Sequence, residues 1–128
     1  MSAPARILIV DDDPPMRELL ASILREAGYR DLVLARDGRQ AHSLITGPGA
    51  PFDLVLLDLE MPGISGIDLL TQCKPLLPES MWVMVSGHSA LPNVLASISA
   101  GAHGFIVKPY NSVKIFEMLD KFASRRAA

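Results

Sequence analysis

Five short runs of Ile, Val and Leu, each bounded by turn-forming residues, constrain this chain more than any other feature: RILIV (6–10), LVLA (32–35), DLVLLD (53–58), MWVMV (81–85) and GFIVK (104–108). Runs this short, with little polar alternation, read as strands buried on both faces. Between them the apolar spacing switches to the helical period. Met16, Leu19, Leu20, Ile23, Leu24 and Ala27 place one stripe along PPMRELLASILREAG, with Asp13 in the capping position and Gly28 at the end. A second helix fits 38–45, ahead of the breaker run TGPGAP, and a third fits 67–74 and stops before Pro75. A fourth starts near Leu91 with Pro92 in its first turn, and a fifth carries Ile115, Phe116, Leu119, Phe122 and Ala123 on one face. Strand and helix alternate five times, which predicts an α/β fold: one doubly wound parallel sheet with helices on both faces, joined by right-handed crossovers.

Size and composition fit a single domain over 1–128, with Arg125 and Arg126 reading as the start of a linker over 124–128. At 20% charged residues and a formal net charge of −2, the chain has no block of like charge suited to a nucleic-acid arm, so no nucleic-acid contact is expected. No apolar run approaches the ~18–20 residues of a membrane span, and the stretch from Met1 to Arg6 lacks the order of a signal peptide. A cytoplasmic protein without membrane contact is the expectation. Cys73 is the only cysteine, which rules out an internal disulfide and a cysteine-rich metal site. Cys73, Met61, Trp82 and Met84 all fall where packing residues belong.

The polar residues at the strand ends carry the functional signal. Val10 is followed by Asp11 and Asp12, Leu57 by Asp58, Val85 by Ser86 and Val107 by Lys108. In an open parallel α/β sheet, ligands bind beyond the carboxyl ends of the strands, so these four segments deliver three Asp, one Ser and one Lys to one crevice. Like charges ~4 Å apart repel by roughly 1 kcal/mol in water and more near a low-dielectric surface, so a cluster of carboxylates there calls for a cation. Oxygen ligands of this kind suit Mg²⁺. A lysine and a hydroxyl beside the metal would hold phosphoryl oxygens while one carboxylate attacks phosphorus in line, and Asp58, ahead of the Gly/Pro loop LEMPGISG, is the candidate nucleophile.

With VDDD at 10–13, DLVLLDLEMPGISG at 53–66, VSG at 85–87 and GFIVKPY at 104–110, the chain resembles the receiver domain of bacterial response regulators, of the single-domain chemotaxis type. The resemblance spans nearly the whole chain. It implies a flavodoxin-like sheet of strand order 2-1-3-4-5. It also implies phosphorylation of Asp58 by a histidine kinase or histidine phosphotransferase, by a protein that assists its own phosphorylation and dephosphorylation but is not an enzyme in the ordinary sense. Mg²⁺ would be held by Asp11, Asp12, Asp58 and the backbone carbonyl of Glu60. Ser86 would bind the phosphoryl group, Lys108 would pair with it, and Phe105 would be the aromatic that changes rotamer. Glu60 and His88 would tune hydrolysis of the acyl phosphate, and the Lys108-Pro109 peptide would be cis. An output protein or output domain outside this sequence would read the surface of the fourth helix, fifth strand and fifth helix, through which a phosphorylation-dependent dimer is a further expectation.

Two rivals share these residues. The run ILIVDDDPP also resembles the haloacid-dehalogenase phosphatase signature, with Asp11 as nucleophile and Asp13 as acid or base. That superfamily wants a further acidic pair after the lysine, where this chain offers only Glu117 and Asp120 on an amphipathic helix, and it leaves Asp58 unexplained. The other rival is a pseudo-receiver, a docking module that is never phosphorylated.

Overall fold

The computed structural model describes residues 4–127. Strands β1 (Arg6–Val10), β2 (Asp31–Ala35), β3 (Leu54–Leu57), β4 (Met81–Ser86) and β5 (Gly104–Val107) alternate with helices α1 (Pro14–Glu26), α2 (Gly38–Thr46), α3 (Gly66–Cys73), α4 (Leu91–Ser99) and α5 (Ser112–Ala127). The strands form one parallel sheet in the order β2-β1-β3-β4-β5, the flavodoxin-like arrangement expected. Alternate side chains feed two cores. Ile7, Ile9, Leu54, Leu56, Val83 and Val85 pack under α1 and α5, whereas Leu8, Val10, Val55, Leu57, Trp82 and Met84 pack under α2 and α3. Met61 and Cys73 are buried in the second core. Residues 124–127 are the last turn of α5, while Ala128 and Met1–Ala3 lie outside the described residues.

Double burial holds for β1, β3 and β4 but not for β2 and β5. The order of strands leaves those two at the edges, where one flank of the ladder has no neighbour. The helical stripes shift in a similar way. Ala27 is exposed because α1 ends at Glu26, one residue before it. Within α1, Ala21 is buried while Leu19 is exposed, and in α5 Met118 is buried in place of Ala123. Each correction moves the buried arc by one position on a wheel whose width the sequence does not fix.

Asp13 precedes α1, yet its side chain makes no capping hydrogen bond. Pro14 and Pro15 open that helix and have no N–H, so part of what a cap would satisfy is absent. Asp37 does cap α2, accepting the Gln40 N–H at 2.7 Å, and Ser65 caps α3, accepting the Asp68 N–H at 3.2 Å. Pro75 does not stop the chain outright: α3 ends at Cys73 and a tighter 3₁₀ turn, Lys74–Leu76, takes the proline in. Gly28 ends α1 with φ of 100°, a backbone conformation that favours glycine. No helix among the described residues is long and apolar enough to cross a membrane.

Candidate functional site

At the carboxyl end of the sheet, the ladder bonding continues one residue past the strands. The Asp11 N–H donates to the Ala35 carbonyl at 3.1 Å, Asp58 N–H to the Val10 carbonyl at 3.0 Å, and Lys108 N–H to the Ser86 carbonyl at 3.0 Å. Asp11, Asp58 and Lys108 therefore emerge from backbone as fixed as the strands themselves. Asp12 follows on the open side of the crevice and is exposed. One carboxylate oxygen from each of Asp11, Asp12 and Asp58 lies within 4.8 Å of the others.

The Lys108 ammonium bridges two of these groups, with Nζ 2.6 Å from Asp11 Oδ2 and 3.2 Å from Asp58 Oδ2. Burial by itself would lower its pKa; the hydrogen bond and charge of Asp11, joined by Asp58, outweigh that and raise it. Burial raises the pKa of Asp11, opposed by Lys108 and by the Asp13 N–H and reinforced by the nearby Asp58. The rise at Asp11 is thus mainly the cost of burying its charge, and the rise at Lys108 comes from the two carboxylates it pairs with. Asp11 is fully engaged, Oδ1 accepting the Asp13 N–H at 2.9 Å and Oδ2 accepting from Lys108. Asp58 Oδ1 is different: it is buried and accepts no hydrogen bond from any described residue. A buried carboxylate oxygen left unpaired is costly, and its neighbours are further hard oxygen donors, the environment that suits Mg²⁺.

The chain matches the model of the response regulator receiver domain over residues 7–120. This chain is a response regulator receiver domain. The receiver is 34% identical over 122 residues to the chemotaxis protein CheY-3 of Vibrio cholerae, covering 94% of this chain and 92% of that one. It is 33% identical to the transcriptional regulatory protein TcrA of Mycobacterium tuberculosis, covering 94% of this chain but 46% of TcrA. A CheY-like receiver domain from Methanospirillum hungatei superposes with a TM-score of 0.88 at 31% identity, with 98% of each chain covered. The Thermotoga maritima response regulator TrrA, solved in complex with Mg²⁺ and BeF, gives 0.78 at 34% identity, covering 92% of this chain and 98% of that one. The receiver is thus a module of two-component signalling, whose general function is a phosphorylation-dependent switch.

In this receiver Ser86 is the last residue of β4 rather than the first beyond it, and it is fully buried. Its hydroxyl oxygen accepts the His88 N–H at 3.1 Å, which leaves the hydroxyl proton unspent. Phe105 stands apart from the carboxylates, half-buried on β5, in register with Met84 and packed on the second core. Tyr110 is half-buried on the first core, and burial raises its pKa, eased by Lys108 and reinforced by Asp11. The Lys108-Pro109 peptide is cis, as the resemblance implies. Two contacts escape a reading of the sequence. Arg17 reaches back from α1 and donates to the Asp11 carbonyl at 2.6 Å. A cation near a helix N-terminus opposes the helix dipole, and that misfit was the signal that Arg17 serves something else. His88 Nε2 also lies 3.2 Å from Glu60 Oε2, joining the loops after β4 and β3 over the site. Both residues sit two positions past a site residue on neighbouring strands, a spacing that brings loop side chains together.

Proposed function

We propose that this receiver takes a phosphoryl group onto Asp58 Oδ1 from the phosphohistidine of a histidine kinase or histidine phosphotransferase. The carrying observation is that, of the carboxylate oxygens of Asp11 and Asp58, only Asp58 Oδ1 is buried without a hydrogen-bond partner, whereas both oxygens of Asp11 accept hydrogen bonds. Attack by Oδ1 forms the O–P bond as the N–P bond breaks, and the bonding pair returns to the donor imidazole. Lys108 holds the other Asp58 oxygen and is placed to pair with the transferred group. Ser86 can donate its free hydroxyl proton to a phosphoryl oxygen. Asp12, Asp58 and the Glu60 carbonyl would hold Mg²⁺ directly, with Asp11 reaching it mainly through water, and the ion when bound would offset the charge on the phosphoryl oxygens. The structure of TrrA with Mg²⁺ and BeF supports carrying this chemistry over.

The Glu60–His88 contact would tune how readily water reaches the acyl phosphate. Movement of the Ser86 hydroxyl toward the phosphoryl group would vacate volume for the Phe105 ring, biasing the face formed by α4, β5 and α5. That face carries exposed Leu91, Leu95 and Ile98 at helical spacing on α4, with Val107 on β5. Such an apolar surface suits an output protein, an output domain or a second phosphorylated copy. The committed oxygens of Asp11 argue against the phosphatase reading, and the presence of Asp11, Asp12, Asp58, Ser86 and Lys108 argues against a pseudo-receiver. Exposure to a small acyl phosphate with Mg²⁺, followed by intact mass measurement, should give a labile adduct that maps to Asp58 and is lost in Asp58→Asn. An adduct on Asp11, or steady turnover of phosphate esters, would contradict the proposal.

A further inference from the structure

The loop over 59–65 is pressed between two helices that carry glycine where any side chain would collide with it. At the start of α3, the Gly66 N–H donates to the Leu59 carbonyl at 2.8 Å, and a Cβ on Gly66 would overlap the Asp58 carbonyl oxygen. At the start of α2, Gly38 is buried, and a Cβ there would lie 2.5 Å from the Ile64 carbonyl oxygen and 2.9 Å from the Ile64 Cβ. The obstruction is largely backbone, which cannot swing away as the tip of a side chain can. The helix side is equally fixed. Asp37 caps it through the Gln40 N–H at 2.7 Å, the Gln40 side chain accepts the Arg36 N–H at 2.8 Å, and Ala41 is fully buried. A side chain at position 38 would therefore displace the loop rather than the helix.

We infer that Gly38, which belongs to another helix and to none of the site's hydrogen bonds, is a positioning residue for the phosphoacceptor loop. By having no side chain it lets Ile64 seat against α2. That seat fixes the far end of the segment whose near end carries Asp58 and Glu60. The inference rests on the reading of Asp58 as phosphoacceptor.

Gly38→Ala tests it. Alanine is the better helix former, so a loss cannot be laid to a weaker α2. Displacing a reacting group by about 1 Å can cost on the order of a hundredfold in rate, so adduct formation on Asp58 should slow about ten- to a hundredfold. Mg²⁺ alone, titrated and followed by amide NMR shifts, should bind several-fold more weakly, with shifted resonances at Leu59, Glu60 and Ile64. Ala41→Gly is the control: it loosens α2 without filling the contact, and should lower the denaturant midpoint while leaving Mg²⁺ affinity unchanged. Ile64→Gly removes the seated side chain from a half-buried site. It should weaken Mg²⁺ binding even if Gly38→Ala fails to fold. Unchanged affinity in the folded Gly38→Ala or in Ile64→Gly, or an equal loss in Ala41→Gly, would overturn the inference. Failure of the unmutated protein to form an adduct would instead overturn the reading of Asp58.

Discussion

In β1, β3 and β4 every residue except Arg6 is buried, whereas β5 buries only Ile106 and α4 only Ser97. The first region carries Asp11, Asp58 and Ser86 at its ends; the second presents Leu91, Leu95, Ile98 and Val107 outward. Chemistry that depends on carboxylates held a few ångströms apart sits on the part of the sheet least able to move. Under the proposed function, the surface that would take up two arrangements lies where little packing must be given up to change it. Phe105, half-buried on β5 in register with Met84 of β4, is the side chain that the proposed function makes the link between the two regions.

Paired truncations should expose this difference at its largest. Leu56 is fully buried in β3, and Leu56→Ala should cost about 2–5 kcal/mol of stability. Leu95 is 56% exposed on α4, and Leu95→Ala should fall within about 0.5 kcal/mol, both read from denaturant unfolding. Comparable losses would show that α4 is packed as tightly as the centre.

A second prediction concerns the charge stored at the centre. Asp12→Ala should abolish most Mg²⁺ binding, measured by titration, and should raise the denaturant midpoint of the metal-free protein by relieving carboxylate repulsion. Unchanged Mg²⁺ binding would remove Asp12 from the ligand set, and a lower midpoint would contradict the repulsion argument.

The edge offers a smaller, pH-dependent test. The Trp82 N–H donates to His103 Nδ1 at 2.9 Å and the His103 N–H returns to the Trp82 carbonyl at 2.7 Å, so a neutral imidazole extends the β4–β5 ladder by one step. Partial burial, then Arg125 and Lys74, lowers the His103 pKa from 6.5, and the bond that Nδ1 accepts from the Trp82 backbone N–H exists only with the neutral ring. With the folded pKa below the unfolded one, this contribution is complete above about pH 6.5 and is lost as the pH falls below it. His103→Asn keeps an acceptor near the Nδ1 position and cannot titrate. It should flatten the decline in denaturant midpoint between about pH 6.5 and pH 5. An identical decline in both proteins would show that the imidazole does not support the edge.

Much of this division was legible in the sequence, and the remainder has physical reasons for being hidden. The apolar runs and their terminal Asp, Ser and Lys residues mark both the strands and the crevice, because buried parallel strands must change to polar chemistry where they leave the core. The half-exposure of β2 and β5 was not visible, since an edge strand can carry the same Val and Leu as a central one and only sheet order tells them apart. Nor could the commitment of both Asp11 oxygens be read. It depends on Asp13 turning its N–H back after the strand and on Lys108 arriving from 97 residues away. Leu19 fits the α1 stripe by spacing, yet the sheet surface covers an arc that includes Ala21 instead, and Ala27 falls just past the end of the helix.

The central claim is that a phosphoryl group held at the rigid centre changes the thinly packed edge through Ser86 and Phe105. Ring and amide NMR signals of Phe105, Val107 and Tyr110, recorded with and without beryllofluoride and Mg²⁺, test it most directly. In the unmutated protein all three residues should shift, while in Ser86→Ala the site should still load at Asp58 and most of the shift at Phe105 should vanish. Identical Phe105, Val107 and Tyr110 signals in the two states of the unmutated protein, with Asp58 loaded, would contradict the account.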